Sequence, residues 1–529
     1  MISEQYKKFL GYVIYQIYPR SFNDTNGDGI GDINGITEKL DYLKDLGVNA
    51  IWLCPCYKSP NEDNGYDIAD YRDIMDEFGT LDDIKRLISE MHKRDMKLIM
   101  DLVPNHTSSE HKWFQESRKS KENPYSDYYY WVDTPPNDWQ SAFGGSAWEY
   151  DESRKQYYLH SYAIKQPDLN WENPRVVEEM KAVVDFWVNL GVDGFRCDVI
   201  DQISKDWVND RNCFGPQLHE HIHALFGRDA VRHIFTVGEC WAGEIEEIIR
   251  HSAYERGELT TLFQFDHLNC GREGKWDGKA DSLKTVRDIL TNWQTLNQQH
   301  DLVHSLFTDN HDNAPFVSRA GNDKELRYES ATCIAAMFYM LRGVPFIYQG
   351  QEFGLVASHH NTLDEFDDIE SINAYNAFCE SMSAEEALEK INFGGRDNAR
   401  RPVCWSAEKG YGFSQAKPWI CHHGRADEIN LQKDLESEKS VFRFYRDLLR
   451  IRRENDAVLY GNFTVLSKPE DDFFIYAREY EGKRFIVICN FENTSEITVE
   501  TNGNILLGNY NRTAVSGTYR PYEVAIIKE

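Results

Sequence analysis

The chain has 529 residues, 41% hydrophobic and 13% aromatic, which is enough for several domains and a large buried core. Its formal net charge of −29 at pH 7 argues against binding to nucleic acid or to an anionic membrane, because both attract clustered Lys and Arg. The sequence shows no signal-like apolar segment at its start, no membrane-length apolar stretch, and 11 Cys without paired spacing. We expect a cytoplasmic protein with free thiols and favour a monomer, although the oligomeric state stays open.

Short apolar segments recur along the first two thirds of the chain, and each ends at a turn residue. They are VIYQIY (13–18), AIWLCP (50–55), KLIMDLV (97–103), VDGFRCDV (192–199), IFTVGE (234–239), LFQF (262–265), SLFTDN (305–310) and PFIYQG (345–350). Between them, apolar residues recur at helical spacing, as in Ile84, Leu87, Ile88 and Met91. The alternation of strands and helices predicts an α/β fold, a (β/α)8 TIM barrel.

Two intervals are longer than a strand–helix connection needs. Residues 104–170 are rich in Asn, Asp, Pro, Trp and Tyr, and we expect an inserted domain B there, between barrel parts 1–103 and 171–457. Residues 351–435 form a second long excursion within the second barrel part. From 458 to 529 short alternating strands predict a C-terminal antiparallel β-sandwich domain.

Acidic residues follow three of the predicted strands, and the carboxyl ends of barrel strands form one rim. Asp198 follows the fourth strand, Glu239 the fifth and Asp312 the seventh. Any one of these acids could simply cap the next helix. Capping would not require Arg196 and His311 beside them, so the set favours a catalytic centre.

These residue types suit a retaining glycosidase, which needs one carboxylate to attack and a second carboxyl to protonate the leaving oxygen. Arg196 lies two residues before Asp198 on the same strand face and can help to keep that acid ionised. Glu239 follows an apolar strand, where partial desolvation favours the protonated form that an acid needs. Asp312 can stabilise positive charge that develops in the transition state.

Eight sequence motifs carry a specific resemblance. They are YQIYPRSFNDTNGDGIGD, NGYDI, DLVPNH, QPDLNWENP, GFRCDV, VGE, NHD and GRDNAR, and they span residues 12 to about 405. The chain resembles glycoside hydrolase family 13, the α-amylase family, and especially its oligo-1,6-glucosidase and dextran glucosidase branch. The resemblance implies Asp198 as nucleophile, Glu239 as general acid/base and Asp312 as transition-state stabiliser, with no organic cofactor.

The resemblance also implies a pocket for the nonreducing glucose and therefore release of single glucose units from chain ends of a small oligosaccharide. The substrate-binding residues that it implies are Tyr66, Asp67, His106, Gln166, Arg196, Val199, His311 and Arg400. Val directly after the nucleophile accompanies α-1,6 cleavage in this branch, whereas Thr or Ala accompanies α-1,4 cleavage. We expect α-1,6 preference, although some enzymes with this Val cleave both linkages.

The loop at residues 24–32 has oxygen ligands at alternate positions around Gly, a pattern for a hard cation. It is not an EF-hand, because Gly35 stands where that loop has Glu and a strand precedes it. The branch that the chain resembles uses this loop for a structural calcium ion. The implied ligands are Asp24, Asn26, Asp28, the Ile30 carbonyl and Asp32; a metal-free turn is the alternative.

Two segments depart from the family pattern. The motif NHD is followed by Asn313, Ala314 and Pro315 without the usual Arg, and the segment 355–371 begins unlike its relatives. Both are expected near the leaving-group subsite. The alternatives are therefore an α-glucosidase with a different leaving group (maltose, sucrose or isomaltulose) and a sucrose isomerase or transglucosidase. A noncatalytic transporter subunit of this fold would carry a membrane helix and lack the complete acid set.

Overall fold

A computed structural model describes residues 4–268, 270, 274–278, 281–420 and 424–529. Eight parallel strands form one sheet. They are β1 (Ile14–Ile17), β2 (Ala50–Leu53), β5 (Lys97–Leu102), β9 (Gly194–Cys197), β10 (Phe235–Gly238), β11 (Thr261–Leu262), β12 (Ser305–Leu306) and β13 (Val344–Tyr348). Their order across the sheet is β11-β10-β9-β5-β2-β1-β13-β12. Every residue of β1, β2, β9, β10 and β13 is buried, as expected for a sheet covered on both faces. The predicted (β/α)8 TIM barrel is confirmed.

Side-chain hydrogen bonds join the two ends of the barrel sheet. In the described part of the chain, β11 pairs only with β10 and β12 only with β13. The Thr261 Oγ1 donates to the Val303 carbonyl at 2.7 Å, and the Ser305 Oγ donates to the Leu262 carbonyl at 2.7 Å. Two hydroxyl groups therefore replace a backbone ladder at this seam.

Helices cover the barrel. The first are α1 (Glu4–Leu10), α2 (Ile33–Glu38), α3 (Leu40–Leu46), α4 (Leu81–Lys93), α5 (Lys112–Ser117), α6 (Pro174–Leu190), α7 (Leu218–Phe226), α8 (Ile245–Ser252) and α9 (Leu283–Gln299). The rest are α10 (Phe316–Ala320), α11 (Arg327–Tyr339), α12 (Ile369–Phe378), α13 (Ala384–Gly394), α14 (Asp397–Arg400), α15 (Leu431–Glu436), α16 (Val441–Arg453) and α17 (Asp456–Tyr460).

Local sequence explains where these helices begin and end. The Thr80 side chain and Asp83 form a reciprocal capping box at the start of α4. Asn173 caps α6, and Gly191 ends it with a φ of 111°, a conformation that glycine adopts without a Cβ clash. None of the helices in the described part of the chain is long and apolar enough to cross a membrane.

The segment 104–170 contains α5 and a small antiparallel sheet. Its strands are β6 (Trp131–Val132), β7 (Trp148–Asp151) and β8 (Gln156–Leu159), in the order β6-β8-β7. Tyr130, Ala147, Trp148 and Leu159 form a separate small core beneath it. A further antiparallel pair, β3 (Tyr57–Lys58) and β4 (Asp70–Ile74), precedes this segment.

Two antiparallel sheets follow α17. The first has the order β14-β15-β16-β20-β18, and the second pairs β17 with β19. The strands are β14 (Asn462–Val465), β15 (Phe473–Tyr480), β16 (Lys483–Asn490), β17 (Ser495–Ile497), β18 (Asn504–Gly508), β19 (Gly517–Tyr519) and β20 (Val524–Lys528). Ile497 and Tyr519 of the second sheet pack with Ile486 and Ile488 of the first, so the two sheets enclose one core. The predicted C-terminal β-sandwich is confirmed, whereas the exact domain boundaries stay a prediction.

Candidate active site

A cavity of about 620 Å³ opens at the carboxyl ends of the barrel strands, a size that suits a small ligand. Asp198 follows β9 and Glu239 follows β10, so both reach the cavity directly from strand ends. Seven of the residues predicted for the site line it, namely Tyr66, His106, Asp198, Val199, Glu239, His311 and Asp312. The topology of the barrel therefore brings the predicted acids together.

One buried guanidinium joins three carboxylates below the cavity. Arg196 Nη1 lies 2.6 Å from Asp198 Oδ1 and 2.9 Å from Asp101 Oδ1, and its Nη2 contacts Glu239. The Arg196 side chain is 3% exposed and the Glu239 side chain 14%. Because Asp198 and Glu239 bind the two terminal nitrogens of the same group, they are held as close neighbours. A retaining glycosidase needs two carboxyls about 5–5.5 Å apart.

The charge balance around Arg196 favours retention of a proton. Burial raises the pKa of Asp198 well above its ordinary value, and the Glu239 and Asp101 carboxylates add to this effect against the attraction of Arg196. Burial likewise raises the pKa of Asp101 to about 6. Asp101 and Asp198 both contact Arg196 Nη1, so a proton bound there belongs to the pair rather than to one acid. Arg196 favours the ionised form of Asp198, as expected, but burial and the adjacent carboxylates oppose it.

Asp312 has the opposite environment. Burial alone would raise its pKa, but adjacent His311 and the guanidinium groups of Arg400 and Arg396 hold the pKa well below its ordinary value. Arg400 Nη2 lies 3.0 Å from Asp312 Oδ1, and Arg400 Nε donates to the His311 carbonyl at 3.1 Å. Asp312 is thus a permanent negative charge on one side of the cavity, which can stabilise a developing cation.

His311 and Tyr66 form a stacked pair at the base of the cavity. Their ring centroids are 5.2 Å apart with planes 9° from parallel, and the Tyr66 hydroxyl lies 2.7 Å from His311 Nε2. The Gln16 amide lies 2.8 Å from His311 Nδ1 and donates to it. The imidazole proton then resides on Nε2, which faces Tyr66 and Asp312.

Val199 adopts a backbone conformation that β-branched residues rarely adopt. Its φ is 34° and its ψ is 49°, in the left-handed region. The Val199 N–H faces Glu239 Oε2 at 3.4 Å, and the next N–H, of Ile200, donates to the Glu239 carbonyl at 3.0 Å. The strained turn thus connects the chain just after Asp198 to Glu239.

Asp67 does not reach the cavity, contrary to the expectation that it binds substrate. Its carboxylate is fully buried and accepts hydrogen bonds from Ser59 Oγ at 2.9 Å and from the backbone N–H groups of Glu62 and Asp63. Through these hydrogen bonds the Asp67 carboxylate stabilises the turn at residues 59–63. Asp63, four residues earlier, lines the cavity instead and pairs with Arg396 Nη2 at 3.0 Å.

Three other predicted residues lie behind the cavity lining. Gln166 is buried and donates to Asp63 Oδ2 at 3.2 Å, with His106 Nε2 at 3.3 Å. Arg196 and Arg400 contact the acids rather than the cavity itself. These three residues orient the groups that face a ligand, and Gln166 in particular connects Asp63 to His106.

Several residues on the open side of the cavity were not among those predicted from the sequence. Lys275 and Glu370 both line it and form an ion pair of 2.5 Å. Trp241, 54% exposed, stacks on Phe265 with a centroid distance of 4.4 Å. The two segments that depart from the family pattern contribute Asn313 and Glu370. Trp241 could have been predicted from its position, because it is an aromatic residue only two positions after the predicted acid Glu239.

Phe143 of the inserted segment closes another side of the cavity. Its carbonyl accepts from Asn373 Nδ2 at 3.0 Å, and Arg396 lies 4.9 Å from its ring centroid. Both Phe143 and Arg396 line the cavity. The inserted segment is therefore in contact with the long excursion after β13 across the mouth of the barrel.

The loop 24–32 is shaped by its own side-chain oxygens. Asp24 Oδ1 accepts from Gly27 N at 2.7 Å, and Asn26 and Asp28 each accept from the backbone N–H two residues later. Asp32 caps α2 and also accepts from Thr25, so its two oxygens are already engaged. The three acids of the loop do not converge into a tight triad in the described chain. The donor set is all oxygen, which fits a hard cation.

Comparisons with known proteins agree with this geometry. The family model for the alpha-amylase catalytic domain matches residues 16–461. An oligo-1,6-glucosidase of Bacillus cereus is 43% identical, with 98% of each chain covered. Among solved structures, the trehalose-6-phosphate hydrolase of Bacillus licheniformis has a TM-score of 0.93 at 37% identity, covering 98% of this chain and 99% of that one. The isomaltulose synthase of Protaminobacter rubrum has a TM-score of 0.93 at 38% identity, covering 100% of both.

Proposed function

The chain belongs to the α-amylase family of glycoside hydrolases, and from that membership we propose that it is a retaining, exo-acting α-glucosidase that removes terminal α-1,6-linked glucose from isomaltose-like oligosaccharides. The observation that carries the proposal is the joint contact of Asp198 and Glu239 with Arg196 at a cavity on the carboxyl ends of the barrel strands. The Bacillus cereus relative bears the corresponding name.

The chemistry runs in two displacements. The Asp198 carboxylate attacks the anomeric carbon while Glu239 donates its proton to the glycosidic oxygen, so the carbon–oxygen bond breaks and the leaving sugar departs with that proton. Glu239 then takes a proton from water as the water oxygen displaces Asp198, which releases glucose with its original α configuration. Asp312 remains ionised and stabilises the oxocarbenium-like charge in both steps.

The walls of the cavity support removal of one glucose at a time. Asp63, Tyr66 and His311 line its inner end, and Arg396 and Phe143 close it on the side of the inserted segment. Polar groups on three sides can hydrogen-bond the hydroxyls of a terminal glucose, and the Tyr66 ring offers an apolar face. These walls favour a terminal glucose over a chain-internal one.

The open side of the cavity supports an uncharged leaving sugar. Lys275 is paired with Glu370, and Arg396 is paired with Asp63 and Asp368, so the cations that face the cavity in the described chain are compensated. A phosphate at this place would meet the Glu370 carboxylate. This arrangement favours neutral oligosaccharides over the phosphorylated substrate in the name of the Bacillus licheniformis neighbour.

A substrate panel tests the proposal. The purified chain is assayed with isomaltose, maltose, isomaltulose, sucrose and trehalose 6-phosphate, and proton NMR follows the first anomer released. We expect the highest kcat/KM for isomaltose and α-glucose as the first product. If the protein instead converts sucrose to an isomer faster than it hydrolyses isomaltose, the proposal of a hydrolase would give way to that of a sucrose isomerase. Release of β-glucose as the first product would contradict the double displacement.

We also propose that the loop 24–32 binds a structural calcium ion through Asp24, Asn26, Asp28, the Ile30 carbonyl and Asp32. Its oxygen donors and its glycines with positive φ, Gly27 and Gly29, support this. The ion would neutralise the acids of the loop and fix it against the residues that follow β1. Chelation should lower the melting temperature of wild type but not of an Asp28→Ala variant; equal effects on both chains would reject the site.

We further propose that the protein works in the cytoplasm. Each of the described cysteines is a free thiol, and most are buried, which suits a reducing compartment. Fractionation of cells that produce the protein, with a periplasmic or secreted marker enzyme measured alongside, tests the location. Glucosidase activity that follows the secreted marker would contradict it.

A further inference from the structure

A cluster of four ionisable side chains lies outside the cavity, between α7 and α8. His219 belongs to α7, Glu247 and His251 belong to α8, and Glu258 lies just before β11. His219, Glu247 and His251 each place one ligand atom within 4.8 Å of the other two, the one group in the described chain that meets this criterion for a metal. None of the four residues lines the catalytic cavity.

The distances in this cluster are close to those around a tetrahedral ion. His219 Nε2 lies 2.9 Å from Glu247 Oε1, and His251 Nδ1 lies 3.6 Å from the same oxygen. Zinc bonds of about 2.0–2.1 Å in a tetrahedron separate neighbouring ligand atoms by roughly 3.3 Å. The two measured separations lie on either side of that value, so small side-chain rotations would bring the three atoms to one ion.

His219 is oriented as metal-binding histidines usually are. Its Nδ1 lies 2.7 Å from Glu258 Oε2, and the Glu258 side chain, 1% exposed, is fixed in turn by Arg256 at 2.6 Å. A carboxylate that accepts the Nδ1 proton leaves Nε2 unprotonated and ready to bind a metal. The carboxylate–histidine unit is therefore assembled on the side away from Glu247.

His251 supplies a buried ring whose Nδ1 faces Glu247. Its side chain is fully buried, and its Nδ1 bonds the Glu247 backbone carbonyl at 2.8 Å. A metal on Nδ1 would take the place of the proton in that bond, and the ring would then carry its proton on Nε2, which has no hydrogen-bond partner in the described chain.

We propose that His219, Glu247 and His251 bind a divalent transition metal such as zinc, with Glu258 as the acceptor that orients His219. The mixed imidazole and carboxylate ligands favour zinc, cobalt or nickel over calcium or magnesium. The ion would replace the proton between His219 and Glu247, and the partly exposed edges of these two side chains, 11% and 22%, give it a path from solvent. Helix α8 follows Glu239 in the chain after a short connection. The ion would therefore hold α7 and α8 together on the outside of the barrel, away from the catalytic site.

Zinc titration of the full-length protein tests this site. Calcium is kept in the buffer throughout so that the loop 24–32 is unaffected, and tightly bound metal is removed first with a zinc-selective chelator. We expect about one equivalent of zinc by calorimetry, and cobalt should give the visible absorption of a tetrahedral site. His219→Gln and His251→Leu should each weaken zinc binding at least tenfold. The control His359→Gln removes an exposed histidine that pairs with Glu389 of α13, and it should leave zinc binding unchanged.

The conservative change Glu247→Gln covers the case in which a histidine variant fails to fold. Glu247 is partly exposed, and Gln keeps its size while removing the charge that binds a metal. The tetrahedral cobalt spectrum should disappear in this variant while glucosidase activity stays at the wild-type rate. A wild-type chain that binds no zinc, or an affinity that is unchanged in Glu247→Gln and His219→Gln, would overturn the proposal.

Discussion

Arg196 Nη1 lies 2.6 Å from Oδ1 of Asp198, so the proposed nucleophile and its main counter-charge come from alternate residues of one strand end. The same guanidinium also contacts Asp101 and Glu239, and it is 3% exposed. It therefore stabilises the fold as well as the chemistry, since three acids would otherwise be buried without a cation.

Arg196→Gln should reduce both activity and stability. Removing one partner of a buried ion pair costs about 3–5 kcal/mol, because the carboxylates lose their cation in a low-dielectric site. Chemical denaturation and the initial rate on isomaltose measure the two effects. The matched control is Arg94→Gln, whose partner Asp41 is 82% exposed and whose loss should cost less than about 1 kcal/mol. Equal losses in the two variants would contradict the role of burial.

Replacing Asp198 with Gly should abolish hydrolysis, with a fall on the order of 10⁴-fold or more, since the covalent step is lost. Added azide should enter the vacated space and attack activated α-glucosides from the opposite face, giving β-glucosyl azide. The product is identified by NMR. Asp101→Asn serves as the comparison, because Asp101 contacts Arg196 but does not line the cavity. Azide rescue in that variant, or none in Asp198→Gly, would be inconsistent with Asp198 as nucleophile.

Lys275→Met and Glu370→Gln should weaken binding of the leaving sugar. A hydrogen bond to a charged group contributes about 1.5–3 kcal/mol, so kcat/KM for isomaltose should fall roughly 10- to 100-fold. A p-nitrophenyl α-glucoside, whose leaving group lacks sugar hydroxyls, should be affected much less. Lys85→Met, an exposed lysine outside the cavity, is the control. An equal loss of kcat/KM on both substrates would mean that these residues support the fold rather than recognition of the leaving sugar.

Val199→Thr should lower the ratio of isomaltose to maltose cleavage by about tenfold, the effect of roughly 1.4 kcal/mol at the transition state. Thr keeps the β-branched shape, so the backbone strain at φ 34° is retained and only the polarity of the wall changes. The two kcat/KM values give the ratio directly. Val317→Thr, a buried valine away from the cavity, controls for the general cost of a core hydroxyl. An unchanged ratio of the two kcat/KM values would show that Val199 does not determine the preference for α-1,6 over α-1,4 linkages.

The contribution of two buried histidines to stability should rise with pH through the mildly acidic range. Burial lowers the pKa of His106 to about 4 and that of His311 to about 3, so both rings stay neutral in the fold while the unfolded chain binds protons below pH ~6.5. Each ring adds about 1.4 kcal/mol per pH unit to the slope between these limits, and its contribution is complete above the unfolded pKa. Denaturation of His106→Gln from pH 4.5 to 7.5 should show a shallower slope than wild type. His359→Gln, the exposed control, should keep the wild-type dependence of unfolding free energy on pH. If His106→Gln keeps it as well, buried His106 does not contribute to that dependence.

The barrel and its acids were predictable because topology alone sends the ends of parallel strands to one rim. The positions of their strands placed Asp198, Glu239 and Asp312 on the rim, and the resemblance to the α-amylase family gave each acid its role. The choice between Asp63 and Asp67 could not be made in this way, because both lie in one short turn and only its hydrogen bonds decide which carboxylate faces outward. Lys275 and Glu370 come from two long connections whose approach depends on packing rather than on any local pattern.

The seam between β11 and β12 has a consequence for how the barrel opens. Elsewhere neighbouring strands share backbone ladders, but at this position the hydroxyls of Thr261 and Ser305 supply the links. Amide protons of these two strands should therefore exchange with solvent sooner than those of β1 or β2, since fewer bonds must break to expose them. The first loosening of the fold under heat or denaturant is expected there, one strand away from the one that delivers Glu239, so catalytic competence should be lost before the rest of the barrel unfolds.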